Sequence, residues 1–160
     1  MKMRNLLLIL TCAITLNIAS YAQNPGMIND LNTKFRRYNL VRLDSRAQLD
    51  NVRAGRGITL TIDGRQFALS VVENDLRSAN YRLVFKTANG DVEVPRPENT
   101  TFKGQIIGES FSIVRLALDG RKVEGVIITA TNEYYIEPAK IYSQLATDSD
   151  FVIYQPQDVK

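Results

Sequence analysis

Residues 58–72 read "ITLTIDGRQFALSVV". Two alternating runs, "ITLTI" and "QFALSVV", flank Asp63-Gly64. A period of two sends successive side chains to opposite faces, so Phe67, Leu69 and Val71 share one face and Gln66, Ala68 and Ser70 the other. Asp-Gly between such runs is a strong hairpin signal, because a type I′ turn needs positive φ at both central residues. The stretch predicts an antiparallel hairpin with one buried face.

The same pattern recurs downstream. "YRLVFKT" (81–87) and "DVEV" (91–94) meet at Asn89-Gly90, and "SIVRLAL" (112–118) and "KVEGVII" (122–128) meet at Asp119-Gly120. A weaker turn at "TATNE" leads into "EYYIE" (133–137), and "FVIYQ" (151–155) supplies a last strand. Tyr81, Leu83 and Phe85 are expected to face the core with Arg82, Val84 and Lys86 outside, and Val114, Leu116 and Leu118 form a third stripe. Burying each large apolar side chain contributes about 1.5–3 kcal/mol, so these stripes set the register.

Upstream, Met27, Leu31 and Phe35 stand at helical spacing. "SRAQLDNVRAG" (45–55) predicts a second helix, with Ser45 as N-cap, Ala47, Leu49 and Val52 on one side and Gly55 as its stop. "YNLVRLD" (38–44) between them alternates like a half-buried strand. "VPRPENTT" (94–101) has two prolines and no periodicity, and reads as an exposed linker between a 38–94 half and a 102–154 half. The expected fold is all-β, mainly antiparallel hairpins in a sandwich or partly closed barrel, with one or two short N-terminal helices.

The first 22 residues have the layout of a secretory signal peptide: Lys2 and Arg4, an apolar run, then Ser20 and Ala22 at small-residue positions, with cleavage expected after Ala22. The apolar run is shorter than the ~20 residues a spanning helix needs, so no stable membrane anchor is expected after cleavage. Residues 23–37 form a polar, helical lead-in, and 38–160 a single β-rich domain whose halves are joined by the loop 95–101. The expected location is secreted or periplasmic.

Removing the leader changes the charge balance. The chain has 20 Lys and Arg against 17 Asp and Glu. Losing Lys2 and Arg4 leaves a net charge of +1, which gives little electrostatic support for a nucleic-acid partner. The single cysteine, Cys12, lies in the leader, so the mature chain has no disulfide or thiolate ligand. There is no histidine, which removes His-based triads, H-E-x-x-H zinc sites and an imidazole base.

The remaining chemistry-bearing residues read as structure. Nothing selects two of Glu109, Glu124, Glu133 and Glu137 to face each other as a glycosidase pair. "GESFS" (108–112) lacks the second glycine of a nucleophile elbow, and "GRG" (55–57) is too short to cradle a phosphate. Asn99-Thr100-Thr101 is a formal glycosylation sequon. Gly104, Gly108 and Gly125, in or beside strand runs, mark bends or close backbone approach. Arg36, Arg37, Arg42, Arg46, Arg53 and Arg56, interspersed with Asp44 and Asp50, are either a solvated face or a docking surface for an acidic partner. No catalytic residue, metal ligand or cofactor is assigned.

One longer stretch carries a resemblance. Phe102-Lys103-Gly104, Gly108-Glu109, Val123-Glu124-Gly125-Val126-Ile127 and Glu133-Tyr134-Tyr135-Ile136-Glu137-Pro138 follow one another in an order that resembles the C-terminal half of the propeptide domain of reprolysin-type (adamalysin-like) zinc metallopeptidases. Upstream, "ITLTIDGRQFALSVVENDLRSANYRLV" is similar to that family's first half, and the bacterial secreted members are especially close. The resemblance spans about residues 38–159. It implies a β-rich, non-enzymatic prodomain that assists folding of a zinc protease or blocks its cleft. The implied partner is a secreted zinc metallopeptidase, met in cis if a catalytic segment continues beyond Lys160 and in trans otherwise. Many animal members place a zinc-binding cysteine near the propeptide's end. Without one, inhibition here is expected to be steric or by strand addition to the protease. The alternative expectation is a stand-alone cell-envelope interaction module using the basic Arg36–Arg56 surface.

Overall fold

The computed structural model describes residues 24–160; the expected leader, its cleavage site after Ala22 and Cys12 lie outside the described residues. Helix α1 (Pro25–Lys34) starts where Asn24 accepts a hydrogen bond from the Gly26 N–H at 2.9 Å and Pro25 takes a first-turn position that needs no N–H. It buries Met27 and Leu31, and Phe35 follows at its C-cap. Strand β1 (Asn39–Arg42) leads to helix α2 (Ser45–Arg53). Here Asp44, and not Ser45, is the N-cap: its carboxylate accepts from the Ala47 N–H at 3.0 Å, the role an extended acidic residue fills well. Ser45 turns inward, and its buried hydroxyl has no hydrogen-bond partner among the described residues. Leu49 and Val52 pack on the barrel, whereas Ala47 is exposed.

Eight strands form one antiparallel sheet that curls into a nearly closed barrel. They are β1, β2 (Ile58–Ile62), β3 (Arg65–Glu73), β6 (Thr101–Ile106), β7 (Ile113–Leu118), β8 (Val123–Ile128), β9 (Glu133–Pro138) and β10 (Asp150–Tyr154), in the spatial order β1-β10-β9-β8-β7-β6-β3-β2. β4 (Leu83–Thr87) and β5 (Gly90–Val94) make a separate two-stranded hairpin. The sheet is continuous across both sides of the 94–101 loop, because β3 pairs with β6.

The decisive hairpin forms as expected: Ile62 pairs with Arg65, and Asp63 and Gly64 have φ of 50° and 76°. The other two strong turn signals close differently. Thr87 pairs with Gly90, so the loop residues are Ala88 and Asn89, and the Thr87 hydroxyl donates to the Gly90 carbonyl at 2.8 Å. Leu118 pairs with Val123 across a four-residue loop, because the Asp119 carboxylate accepts from the N–H groups of both Arg121 and Lys122.

Inside the barrel, Phe67, Leu69, Val71, Phe102, Val114, Leu116, Leu118, Tyr134 and Ile136 are all buried in one cluster, with Leu49 and Val52 of α2. A second cluster lies outside the barrel wall: Met27, Leu31 and Phe35 cover Val152, Ala139 and Ala146, with Leu40, Tyr142 and Tyr154 beside them. β10 is therefore buried on both faces, Phe151 and Ile153 inward and Val152 outward.

Tyr81, Leu83 and Phe85 do not join the core. β3 spends both of its edges on β2 and β6, so no edge remains for β4 to extend the sheet. Phe85 and its partner Val92 are 56% and 48% exposed.

Two glycines allow the wall to curl. Gly104 pairs with inward-facing Val71 and Val114, and a Cβ there would overlap the Ser70 carbonyl oxygen. Gly125, opposite inward-facing Leu116, has φ of 156°, and its Cβ would overlap the Arg115 carbonyl oxygen. Such close backbone approach admits no side chain. Gly104→Ala should therefore lower the unfolding free energy by about 3 kcal/mol, the upper range for forcing an extra methyl into a packed site. Chemical denaturation with an unchanged m-value checks this; stability equal to the parent's would show that β3 and β6 do not approach this closely.

Candidate functional site: the projecting hairpin and its root

The chain leaves β3 at Glu73, runs out to the β4–β5 hairpin, and returns to β6 at Thr101. A salt-bridged knot fixes the root of this excursion. The Asp75 carboxylate accepts from the Arg77 guanidinium at 2.8 Å on each oxygen, from the Arg77 N–H at 3.0 Å and from Arg96 at 2.9 Å. Arg77 also donates to the Pro97 carbonyl at 2.7 Å and Arg96 to the Ser78 carbonyl at 3.1 Å, tying the outgoing strand to the returning one. Both guanidinium groups lie over the Tyr81 ring, at 5.6 and 5.8 Å from its centroid. Hydrogen bonds from Arg77, then from Arg96, hold the Asp75 carboxyl well below the usual carboxylate range. Farther along the loop, Arg53 of α2 reaches Glu98 at 2.8 Å, Asn99 and Thr101 bond to each other, and the Thr101 hydroxyl donates to the Asn74 carbonyl at 2.6 Å.

Beyond the root the hairpin has two faces. Leu83, Phe85, Val92 and Val94 form one, from the pairs Leu83↔Val94 and Phe85↔Val92. Val84, Lys86, Asp91 and Glu93 form the other, where Arg82 reaches Glu93 at 3.4 Å. Among the described residues, neither long edge of the hairpin pairs with another strand. An isolated two-stranded ribbon is marginal in water, and it leaves every second N–H and C=O of each strand pointing outward.

Beside the root, the outer wall of β7–β9 forms a trough of about 520 Å³. Leu76, Ala117 and Val126 line it, and Arg115, Glu124 and Glu137 are among its polar residues. This brings together two carboxylates that the sequence left unconnected. Each is occupied: Glu124 pairs with Lys122 at 2.7 Å, while Glu137 accepts from Tyr142 and, at 3.0 Å, from Tyr154. Burial, then the bond to Glu137, pushes the Tyr142 hydroxyl far above its ordinary value. Glu133 accepts from Tyr135 at 2.8 Å, and Glu109 lies elsewhere, against Arg65.

The residues that carry the resemblance occupy the barrel wall. Phe102, Tyr134 and Ile136 are inside, Tyr135 and Glu137 outside, Pro138 ends β9, and Gly108 sits in the β6–β7 turn. Tyr134 meets Phe67 edge-on across the interior, and Tyr135 stacks on Tyr154. Each of the basic residues from Arg36 to Arg56 has a partner. Arg37 pairs with Asp63, Arg42 with Asp150, Arg46 with Asp50 and Arg53 with Glu73 and Glu98. Arg36 donates to the Gln157 carbonyl and Arg56 to Asn51. Among the described residues no cluster of acidic or thiol side chains is arranged to hold a metal ion, and no helix is long and apolar enough to cross a membrane.

The hairpin face was hidden in the sequence by its own regularity, since alternating Leu83 and Phe85 read as core. The signal that separates it is the flanking pair Arg77 and Arg96 around "ENDLRSANY" and "VPRPE". No family model matches the chain, and no curated protein matches it.

Asp75→Asn should loosen the hairpin while sparing the barrel. Amide exchange in 83–94 is expected to quicken with little change in the barrel strands. The sign with pH follows: a carboxyl depressed in the folded state contributes stability above its unfolded pKa of about 3.9, lost as pH falls through the lower folded value. Hairpin protection in the parent should therefore fall only in strong acid. Exchange in 83–94 unchanged by the substitution would show that the knot does not hold the ribbon.

Proposed function

We propose that this chain is a secreted or periplasmic, non-catalytic propeptide-like domain that binds a zinc metallopeptidase, inhibiting it or assisting its folding, and that it does so by strand addition through the β4–β5 hairpin. The observation that carries this reading is the hairpin itself: two edges unpaired among the described residues and an apolar face exposed at Phe85 and Val92, on a root tied by Asp75, Arg77 and Arg96. Main-chain hydrogen bonds along an edge supply affinity and pockets for alternate side chains supply specificity. The resemblance over 102–138 supports the class of partner. The only cysteine in residues 1–160 is Cys12, so residues 23–160 themselves supply no thiolate to a protease's zinc.

The test titrates the purified chain against secreted zinc metallopeptidases, following peptide hydrolysis and the yield of active enzyme on refolding. Phe85→Ser with Val92→Ser removes the exposed part of the apolar face without touching the core, so the barrel's denaturation midpoint should hold. Losing about 2 kcal/mol of apolar burial should weaken inhibition or refolding assistance about thirtyfold. No effect of the parent chain on any such enzyme, or an effect that survives the double substitution intact, would overturn the reading.

A further inference from the structure

The hairpin's charges are sorted by strand. Arg82, just before β4, and Lys86 within it are basic, whereas Asp91 and Glu93 on β5 are acidic. Arg82 is linked to Glu93, while Lys86 stands opposite Asp91 with no ion pair between them. Charged residues commonly blunt exposed edges against unwanted pairing. Mixed charge would blunt both edges alike; sorted charge instead makes each edge selective. Two copies joining β4 to β4 antiparallel would bring cations together, and β5 to β5 would bring carboxylates together, each unfavourable across a strand pair. The polar face of β4 is already matched within the molecule by one strand pattern, the "DVEV" of β5, in which acidic and apolar residues alternate.

We propose that the free edge of β4 is a docking site for an extended segment of the partner in which acidic and apolar residues alternate. Added antiparallel to β4, such a segment takes up the outward N–H and C=O groups of that strand. Its apolar side chains extend the Leu83, Phe85, Val92 and Val94 face, and its carboxylates lie beside Arg82 and Lys86. A segment of alternating basic and apolar residues is rejected at this edge by the same two cations. This inference rests on the strand-addition reading above and adds which edge is used and what chemistry it selects.

The experiment uses the full chain without its leader and two blocked eight-residue peptides, one of alternating Glu and Val and one of alternating Lys and Val. Amide shifts and exchange across 83–94 are followed by NMR. The acidic peptide should protect the outward amides of β4 and bind about fivefold or more tightly than the basic one, a preference that fades with salt. Arg82→Glu with Lys86→Glu should reverse the preference while the barrel amides keep their protection. Equal binding of both peptides, binding of neither, protection on β5 alone, or a preference that survives the charge reversal would overturn the assignment. So would concentration-dependent growth in sedimentation abolished by Asp91→Lys with Glu93→Lys, since the occupant would then be β5 of another copy, in an open head-to-tail array. If the peptides fail but protease inhibition persists and still needs Phe85 and Val92, only the edge assignment falls.

Discussion

Two hydrogen bonds between Asn39 and Asp63 join the ends of a sheet that does not pair its own edges. Asn39 begins β1, one edge strand, and Asp63 follows β2, the other. The Asp63 N–H donates to the Asn39 side chain at 2.9 Å, the Asn39 amide returns a bond to the Asp63 carboxylate at 3.2 Å, and Arg37 adds an ion pair at 3.0 Å. An open edge of backbone donors and acceptors invites pairing with another chain. Here side chains bridge the gap at one point, and α2, the connection between these two strands, packs Leu49 and Val52 into the same interior.

Closure explains where the rest of the molecule goes. A curled wall has one inside, filled by the aromatic and aliphatic stripes, and an outside that needs cover wherever it remains apolar. At β1 and β10 that cover is α1, whose Phe35 ring meets Tyr142 and Tyr154 at 4.8 and 4.6 Å. The two tyrosine hydroxyls then share the Glu137 carboxylate, so a buried aromatic layer ends on a satisfied polar rim. Both edges of β3 are taken in completing the wall, and the segment 74–100 has to leave the barrel. The hairpin proposed for binding is thus a consequence of the strand order. Its root needed its own scaffold, and the Asp75, Arg77 and Arg96 knot supplies it outside the core.

Part of this was readable from residue order alone, for a local reason. Alternation is a property of adjacent residues, so "QFALSVV" and "SIVRLAL" announced their buried faces, and Asp63-Gly64 its turn, without any knowledge of neighbours. The i, i+4, i+8 spacing of Met27, Leu31 and Phe35 likewise determined which side of α1 would be covered. The absence of histidine, and of any cysteine beyond Cys12, ruled out whole classes of chemistry before a fold was in hand. Where short-range signals competed, the sequence was ambiguous: Asp44 and Ser45 are both good caps, and only the extended backbone of Asp44 chose between them.

What the tertiary structure alone decided depends on who stands next to whom. Leu83 and Phe85 alternate as cleanly as Leu69 and Val71, yet Leu83 is only partly buried and Phe85 exposed while the other pair is buried, because burial follows from whether a neighbouring strand has an edge to offer. Glu124 and Glu137, distant in sequence, line one trough, and Glu137 finds two tyrosines that no spacing rule links to it. Of the arginines from 36 to 56, Arg46 and Arg56 bond to neighbours in sequence, whereas Arg36, Arg37, Arg42 and Arg53 reach partners that only the fold brings near. Period and turn chemistry are written in the chain; strand order and closure are global choices, made by the total burial and pairing that only the assembled barrel provides.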